Sequence, residues 1–408
     1  MAKKILIFSM AYYPDFVGGA EVAVREITNR IDSDNIEFHM ITLRYDSRLA
    51  RQEKIGNILV TRIGFTKNKP DLKDLKKFPL HLNKFFYQFE AAWVALKMHR
   101  ENKYDATWAI MAHSAGVPAT IFKMLRPKVP FILTLQEGDP LDKIEKTMRP
   151  FWFFFSRAFK KANVVQVISS YLGEWAKRRG FSGEPKIIFN GGNPGDFADN
   201  FSENDLEKLR DKLGMKKGNI YLMTASRLVP KNGVDIGIRA LALLPENIKF
   251  LVVGGGPEED NLQELVRKLN LENRVIFTGQ IERTEVPKYR KIADIFLRPS
   301  RSEGLGNALI SAMAAHLPVI ATQEGGIAEF LFDKERDPEK ETTGWAVDKE
   351  NPEQIAQAVK KIIANPDAVK KVTEVAYRLV SEKYNWDNIA KDMQTKVFAE
   401  ALKKQNEN

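Results

Sequence analysis

Three loops with the composition of phosphate-binding turns occur in the second half of the chain. They are TASRLVPKNG (224–233), VVGGGPEED (252–260) and PSRSEGLGNAL (299–309), and each begins at the end of an apolar, strand-like run. Glycines let a backbone approach a phosphate closely, and a following helix offers unpaired N–H groups and a partial positive charge. One such loop is weak evidence, because many glycine turns only connect two elements. Three in succession predict a phosphate site at the carboxyl edge of a parallel sheet.

Two cations and one carboxylate in these loops could do chemistry. Arg227 ends a strand-like run and Lys231 follows four residues later, so both could bind a diphosphate through charge-assisted hydrogen bonds. A surface ion pair is the alternative for Arg227. Glu303 stands at the mouth of the third loop with no obvious cation beside it in the sequence. We expect Glu303 to accept hydrogen bonds from sugar hydroxyls rather than to pair with a base.

Composition is that of a folded soluble protein. Of 408 residues, 44% are apolar and 28% charged, which favours two or three domains with ample core. There is no cysteine, hence no disulfide framework or thiolate metal site, and the opening MAKKILIFSM has too short an apolar run for a signal peptide. We therefore expect a cytoplasmic protein. The net charge of +10 makes anionic lipid, nucleotide phosphates and nucleic acid candidate partners.

Strand-like and helical patterns alternate twice along the chain, which predicts two α/β domains with parallel sheets. A glycine- and proline-rich segment from Asn190 leads into a polar linker between them. From Asn351 onward the pattern is helical, and the last segment has Ile389, Met393, Val397 and Ala401 on one face. The predicted strands are 4–10, 36–43, 58–64, 105–111, 130–135, 164–168, 186–189, 220–226, 249–256, 274–279, 295–300, 318–322 and 344–347.

The order of several motifs resembles that of the retaining glycosyltransferases of family GT4 (glycosyltransferase group 1). They are PxxxGGAE near the start, NGG in the middle, SRLVPKNGVD, VVGGGPE, PSRSEGLGNALISAMAAHLPVIAT and GGIAE. The resemblance covers nearly the whole chain. It implies the GT-B fold, in which two Rossmann-like, doubly wound parallel-sheet domains face a cleft and the C-terminal helix crosses back. The domains would be 1–195 with the crossing helix 386–408 on the acceptor side, and 196–385 on the donor side.

The resemblance also assigns roles at matching positions. Arg227 would bind the donor diphosphate, Gly18 and Gly19 would approach it, and Glu303 would hold the donor sugar. Gly255 and Gly256 would line the nucleoside pocket. The phosphate would lie on the backbone of Gly304, Leu305, Gly306, Asn307 and Ala308. No metal or other cofactor is implied.

Several positions depart from the family pattern. Ser311 replaces the second glutamate of the Glu-x7-Glu motif, and Asn232 stands where the phosphate lysine is usual, with Lys231 one residue early. Gln136 replaces a histidine often found after the fifth strand. His316 replaces a glycine before LPVIAT, and we predict a structural role for it because a helix end tolerates such a substitution.

No general base is evident, and the resemblance implies a front-face mechanism in which the leaving diphosphate helps to deprotonate the acceptor. Catalysis would then rest on placement and charge stabilisation. His113 and Glu137 follow predicted strands, and each is a candidate for acceptor or donor contact, with His113 a candidate catalytic residue. Glu21 and Gln136 are further candidates on the acceptor side. Loop residues with partners of their own are the alternative.

Two further features bear on partners. The sequence Asp32-Ser33-Asp34 matches a metal motif of another fold, but we predict a surface turn there. Residues 67–100 and 148–161 combine basic residues with large aromatic rings. They could dock on an anionic membrane surface to meet a lipid-linked acceptor, or the rings could be core and the basic face merely solvated. No reader motif supports nucleic-acid binding.

These features together predict a retaining, metal-independent enzyme. It would move a sugar from a UDP- or GDP-type donor to a glycan or lipid-linked acceptor, in cell-surface polysaccharide or glycolipid synthesis. It would be cytoplasmic or peripheral on the inner face of the cell membrane. The alternatives are a catalytically weak sugar-nucleotide-binding protein or partner subunit, which Ser311 and Asn232 would suit, and a GT-B epimerase.

Overall fold

The computed structural model describes residues 2–14, 17–71, 73–192 and 201–406. It divides into two compact units: Met1–Asn190 with Trp386–Asn408, and Gly191–Asn385. The boundary predicted at residues 195–196 and part of the predicted linker lie outside the described residues. Each unit contains one sheet wrapped by helices, as the alternating sequence pattern predicts.

The first unit is built on an eight-stranded sheet in the order β3-β4-β2-β1-β5-β6-β7-β8. All neighbouring strands are parallel except β3 and β4, and Ile5 of β1, for example, is opposite Phe38 of β2. The strands are β1 (Lys3–Phe8), β2 (Ile36–Leu43), β3 (Gln52–Ile55), β4 (Ile58–Ile63), β5 (Ala106–Ile110), β6 (Phe131–Leu135), β7 (Val164–Val167) and β8 (Lys186–Ile187). The helices are α1 (Gly19–Asn29), α2 (Asn83–Asn102), α3 (Ala112–Leu125), α4 (Leu141–Thr147), α5 (Trp152–Lys161) and α6 (Ser170–Arg178).

The second unit has a six-stranded parallel sheet in the order β11-β10-β9-β12-β13-β14. Its four central strands are apolar runs that are mostly buried, as parallel strands under helices must be. They are β9 (Ile220–Ala225), β10 (Ile248–Val253), β11 (Val275–Phe277), β12 (Ile295–Arg298), β13 (Val319–Thr322) and β14 (Trp345–Val347). The helices are α7 (Glu203–Lys212), α8 (Val234–Leu241), α9 (Glu259–Lys268), α10 (Val286–Lys291), α11 (Asn307–Ala314), α12 (Pro352–Ala364) and α13 (Pro366–Lys383).

The C-terminal segment returns to the core of the first unit. It consists of α14 (Trp386–Asp392), a π-helical turn over residues 393–398, and α15 (Ala399–Asn406). The predicted apolar face is confirmed, since Ile389, Met393, Val397 and Ala401 are all buried. Phe398 packs against both Phe38 and Trp108, with ring centroids 5.8 and 5.0 Å away.

The edge strand β3 was missed by sequence reasoning. Its residues, QEKI, are mostly polar because an edge strand has a solvated face, so no buried run marks it. It forms an antiparallel hairpin with β4 through Gly56 and Asn57, and Gly56 has a φ of +57°. The glycine of this two-residue turn was the available signal.

His316 has the structural role predicted from the sequence. It ends α11 with a φ of +58°, in the left-handed region that usually favours glycine. Its ring stacks on Tyr377 of α13, with centroids 4.2 Å apart and an interplanar angle of 18°. This stacking contact compensates in part for the backbone conformation.

Candidate functional site

The three loops predicted to bind phosphate meet at one edge of the second sheet. They follow β9, β10 and β12, and β9 lies between the other two strands. Because the strands are parallel, the loops leave from the same edge. This is where open α/β sheets bind their ligands.

Backbone hydrogen bonds join these loops to one another. The Leu228 N–H donates to the Gly255 carbonyl over 3.0 Å, and the Glu258 N–H donates to the Leu228 carbonyl over 3.1 Å. On the other side, the Arg301 N–H donates to the Lys231 carbonyl over 2.7 Å. The three loops therefore form one connected backbone surface.

Two glycines make this close approach possible. A Cβ at Gly256 would lie 2.3 Å from the Leu228 carbonyl oxygen. A Cβ at Gly233 would lie 2.0 Å from the Pro299 carbonyl oxygen, and Gly233 also has a φ of +66°. The predicted pocket residue Gly256 is thus required by loop packing, whether or not it contacts a nucleoside.

Replacing Gly233 by Ala tests this packing. Both the backbone conformation and the contact with Pro299 oppose a side chain, so we expect the free energy of unfolding to fall by about 3 kcal/mol or more. Denaturant unfolding followed by circular dichroism measures it. Gly214→Ala is the matched control, because Gly214 has a φ of +65° but nothing within 4 Å of an added Cβ. Equal losses in the two variants would show that contact with Pro299 does not matter.

Arg227 is available to a ligand. Its side chain is exposed, and it makes no ion pair or side-chain hydrogen bond with any residue in the described ranges. Lys231 lies four residues on, in the short helical turn Pro230–Asn232, and is partly exposed. The surface ion pair considered for Arg227 is absent from the described part of the chain.

Arg301, in the third loop, is already neutralised by protein groups. Its guanidinium donates to both oxygens of Asp235, each over 2.8 Å, and it also pairs with Glu350. Hydrogen bonds from Arg301 to Asp235 and then to Glu350 raise the pKa of Arg301 above its usual value. Arg301 therefore fastens its loop to α8 and leaves Arg227 as the more accessible cation.

The expectation that Glu303 would not pair with a base was wrong. Nη2 of Arg298, the last residue of β12, lies 2.9 Å from Oε2 of Glu303. The loop turns the carboxylate back toward the strand end, which the separation of five residues did not reveal. Glu303 is a partly exposed acid held by a buried base, and sequence reasoning missed Arg298 because it closes an apolar run.

Asn232 is buried and bonded at both ends of its amide. Its Oδ1 accepts a hydrogen bond from Arg298 Nη2 over 3.0 Å, and its Nδ2 donates to the Arg227 carbonyl over 2.6 Å. The residue that replaces the expected lysine is thus part of the site's framework. The described contacts link Arg227, Asn232, Arg298 and Glu303 in one chain.

Helix α11 begins directly at this edge. Gly306 precedes it with a φ of +101°, and Asn307 and Ala308 form its partly exposed first turn. Leu305 is buried, so only its backbone is suited to ligand contact. The backbone of Gly304 and Leu305 contacts Gly326 so closely that a Cβ added to Gly326 would lie 2.2 Å from the Gly304 carbonyl oxygen. Ser311 lies one turn further along α11 and is partly exposed.

In the first unit, Gly18 and Gly19 begin α1. The Gly18 N–H donates to Glu21 Oε2 over 2.7 Å, which caps the helix and buries most of Glu21. Glu21, a predicted acceptor-side residue, therefore caps the N-terminus of α1 in the structure. The neighbouring loop residues Asp15 and Phe16 lie outside the described residues.

The structure brings His113 and Glu137 together at the carboxyl ends of β5 and β6. Glu137 is buried, and its Oε1 accepts a 2.6 Å hydrogen bond from the Ala112 N–H at the start of α3. His113 Nδ1 lies 3.4 Å from the same oxygen, and about a third of its side chain is exposed. Gln136, next in the chain to Glu137, accepts a 2.9 Å hydrogen bond from Asn190. These contacts orient His113 at the sheet edge.

Models of two glycosyltransferase domains match the chain. "Glycosyltransferase Family 4" matches residues 17–194, and "Glycosyl transferases group 1" matches residues 205–379. The chain belongs to glycosyltransferase family 4. The resemblance noted in the sequence is confirmed.

One relative of this glycosyltransferase matches nearly its whole length, and another matches part of it. An uncharacterized glycosyltransferase of Methanocaldococcus jannaschii is 26% identical over 402 residues, 95% of this chain and 96% of the relative. A GDP-mannose-dependent α-(1-6)-phosphatidylinositol monomannoside mannosyltransferase of Mycobacterium tuberculosis is 30% identical over 175 residues, 40% of this chain and 44% of the relative.

A solved structure confirms the fold of the glycosyltransferase. Sucrose-phosphate synthase from Thermosynechococcus elongatus matches with a TM-score of 0.79 at 20% identity, over 97% of this chain and 99% of that one. The predicted fold class, GT-B with two parallel-sheet α/β domains, is therefore correct.

Other predicted features of the glycosyltransferase have simple outcomes. Asp32 and Asp34 are exposed in a turn, where Asp32 Oδ1 accepts from the Asp34 N–H, so the predicted surface turn is confirmed. Within the described ranges, no cluster of three or more His, Cys, Asp or Glu residues could hold a metal ion. None of the helices described is long and apolar enough to cross a membrane.

Proposed function

We propose that this glycosyltransferase moves a sugar from a UDP- or GDP-sugar to a hydroxyl of a glycan or lipid-linked acceptor. The sugar keeps its anomeric configuration, and the reaction needs no metal. The observation that carries the proposal is the edge of the second sheet, where exposed Arg227 and mostly buried Glu303 are joined by a continuous hydrogen-bonded chain. The GDP-mannose dependence of the mycobacterial relative supports a nucleoside diphosphate donor.

Arg227, Lys231 and the first turn of α11 would bind the diphosphate. A guanidinium and an ammonium supply charge-assisted hydrogen bonds, and the helix adds unpaired N–H groups with a partial positive charge. These groups stabilise the negative charge that grows on the leaving diphosphate in the transition state. Glu303 would accept a hydrogen bond from a hydroxyl of the donor sugar through Oε1, the oxygen that Arg298 does not bond.

The reaction then exchanges one bond of the sugar for another on the same face. The bond between the anomeric carbon and the phosphate oxygen breaks, and a bond to the acceptor oxygen forms. The acceptor proton passes to an oxygen of the departing diphosphate, so no protein base is required. His113, oriented by Glu137, would contact the acceptor on the first unit.

Nucleotide release from a panel of UDP-, GDP- and ADP-sugars, with and without candidate acceptors, tests the proposal. We expect one UDP- or GDP-sugar to be turned over with release of its nucleoside diphosphate, and the product to keep the anomeric configuration of the donor. Activity is expected to survive a chelator. Nucleotide binding without turnover would favour the alternative of a non-catalytic partner subunit, and a changed sugar without acceptor would favour an epimerase.

We further propose that this enzyme docks on an anionic membrane. A stripe of aromatic residues on the first unit faces outward: Phe85, Phe89 and Trp93 recur every fourth residue along α2 and are all exposed, Trp93 by 67%. Phe85 and Phe89 contact the ring of Phe151 at 5.4 and 6.0 Å. The alternative that the rings are core is wrong for these exposed residues, but it is correct for Phe155 and Phe159 of residues 148–161, which are fully buried.

The charge around this aromatic stripe suits an anionic surface. Phe78, 80% exposed, lies in a segment rich in lysine just before α2. Lys73, Lys76 and Lys84 are exposed and make no ion pair with any residue that the structure describes. Apolar rings beside unpaired cations are typical of proteins that bind at the lipid headgroup level.

Removing the rings tests membrane docking. We expect the triple variant F85A/F89A/W93A to bind vesicles containing phosphatidylglycerol at least about 10-fold more weakly, because each ring contributes about 1.5–3 kcal/mol when buried. Sedimentation measures the bound fraction. L243A/I363A, which removes exposed apolar residues of the second unit, is the control and should bind as the unaltered enzyme does. Equal binding of both variants, or self-association abolished by the triple change, would contradict docking on lipid.

A further inference from the structure

Arg298 is a buried charge that the sequence pattern did not reveal. It ends β12, which lies beside β9 near the middle of the second sheet, and only 8% of it is exposed. A buried guanidinium is costly unless it is paired and hydrogen-bonded. Its Nη2 is bonded to Asn232 Oδ1 at 3.0 Å and to Glu303 Oε2 at 2.9 Å, so Arg298 joins the loop after β9 to the loop after β12.

The other donors of Arg298 do not face a ligand. Nε and Nη1 are fully buried and have no hydrogen-bond partner in the described part of the chain. A ligand at the loop surface would therefore meet Arg298 only through the two side chains that it holds. This makes Arg298 a positioning residue rather than a residue that contacts the donor.

Asn232 connects Arg298 to the backbone of the loop after β9. Its amide is 3% exposed, and its Nδ2 donates to the Arg227 carbonyl at 2.6 Å. Arg298 thus fixes the side chain of Glu303 directly and the backbone of Arg227 through Asn232. The two groups that the proposed function places on the donor are oriented by one buried guanidinium.

The neutral amide at position 232 is a condition of this arrangement. Its oxygen lies only 3.0 Å from Arg298 Nη2, so a cation in its place would stand against a like charge inside the protein. A lysine there, as in the family pattern, conflicts with Arg298. If residue 298 were neutral, Glu303 would lose its cationic partner, and a lysine at position 232 would lie near its carboxylate.

We propose that Asn232 and Arg298 form a coupled pair in which the positive charge that positions Glu303 is carried by β12 instead of the loop after β9. This inference rests on the proposed function for the identity of the ligand. The charge coupling itself is independent of any ligand. It predicts that each residue of the pair tolerates change only when the other changes with it.

Four proteins test the coupling: the unaltered enzyme, N232K, R298M and N232K/R298M. We expect N232K and R298M each to lower the melting temperature and to weaken binding of UDP or GDP about 10-fold, measured by calorimetry. The double variant should recover at least part of both losses. N232K/R298K is the matched control, because it keeps two cations together and should show no recovery.

The outcomes separate the coupling from simple damage to the fold. Additive losses in the double variant would overturn the proposal, as would full nucleotide affinity in R298M at a lowered melting temperature. If R298M does not fold, folding of N232K/R298M is the expected rescue, and its failure overturns the pair. If the unaltered enzyme binds neither nucleotide, the proposed function fails and the positioning role with it, while the melting temperatures alone decide the charge coupling.

Discussion

Replacing Glu303 by Gln should lower the turnover of the sugar donor by about 100-fold or more. The change removes the charge of the hydrogen-bond acceptor that we propose for the donor sugar, and an interaction of this kind contributes about 3 kcal/mol or more to the transition state. It also leaves Arg298 without its counterion in a buried position. Breaking such a pair is strongly destabilising, so the melting temperature should fall by several degrees.

Kinetics and melting measured on the same preparation separate these two effects. Glu350→Gln is the matched control, since Glu350 also pairs with an arginine of this loop, but Arg301 keeps both of its bonds to Asp235. We expect this control to stay within about two-fold of normal turnover, because exposed ion pairs contribute little. If Glu303→Gln retained turnover within about three-fold, the role assigned to Glu303 would be wrong.

Replacing Arg227 by Ala should weaken donor binding without changing stability. The side chain is exposed and makes no ion pair within the described ranges, so its removal leaves no partner unsatisfied. A hydrogen bond to a charged group contributes about 1.5–3 kcal/mol, which corresponds to a roughly 10- to 150-fold loss of affinity. Calorimetry with UDP and GDP and the KM for the donor both measure it.

Salt and a second arginine provide the controls for Arg227. The affinity of the unaltered enzyme should fall as ionic strength rises, and that slope should be smaller in Arg227→Ala because one phosphate contact is gone. Arg267→Ala removes an exposed arginine from α9 and should leave binding unchanged. A loss of binding in both variants would indicate a general effect of net charge.

Sequence reasoning predicted the framework of this enzyme well, for a physical reason. Strands under helices on both faces must be apolar runs, and β2 has the bounds predicted for it, Ile36–Leu43. Glycine turns at strand ends identified the loops. Local patterns carry this information, because it concerns how each segment is buried.

The features that were missed depend on contacts between distant residues. Asn232 and Arg298 are 66 positions apart, and His113 and Glu137 are 24 apart. Neither pairing leaves a periodic trace in the sequence. Similarly, the four-residue spacing of Phe85, Phe89 and Trp93 shows that they share a helix face but not whether that face is inward. Only the packing of α2 shows that they are exposed.

The return of the C-terminal segment has a consequence for synthesis on the ribosome. Phe398 packs against both Phe38 and Trp108, so the core of the first unit lacks this part of its packing until residues 386–406 have been made. All of the second unit, Gly191–Asn385, is translated in between, and this compact unit can form its own core before the first unit is complete. The core of the first unit therefore stays incomplete, with apolar surface uncovered, until residues 386–406 have been made. In this enzyme the unit that is begun first is completed only after the whole second unit has been made.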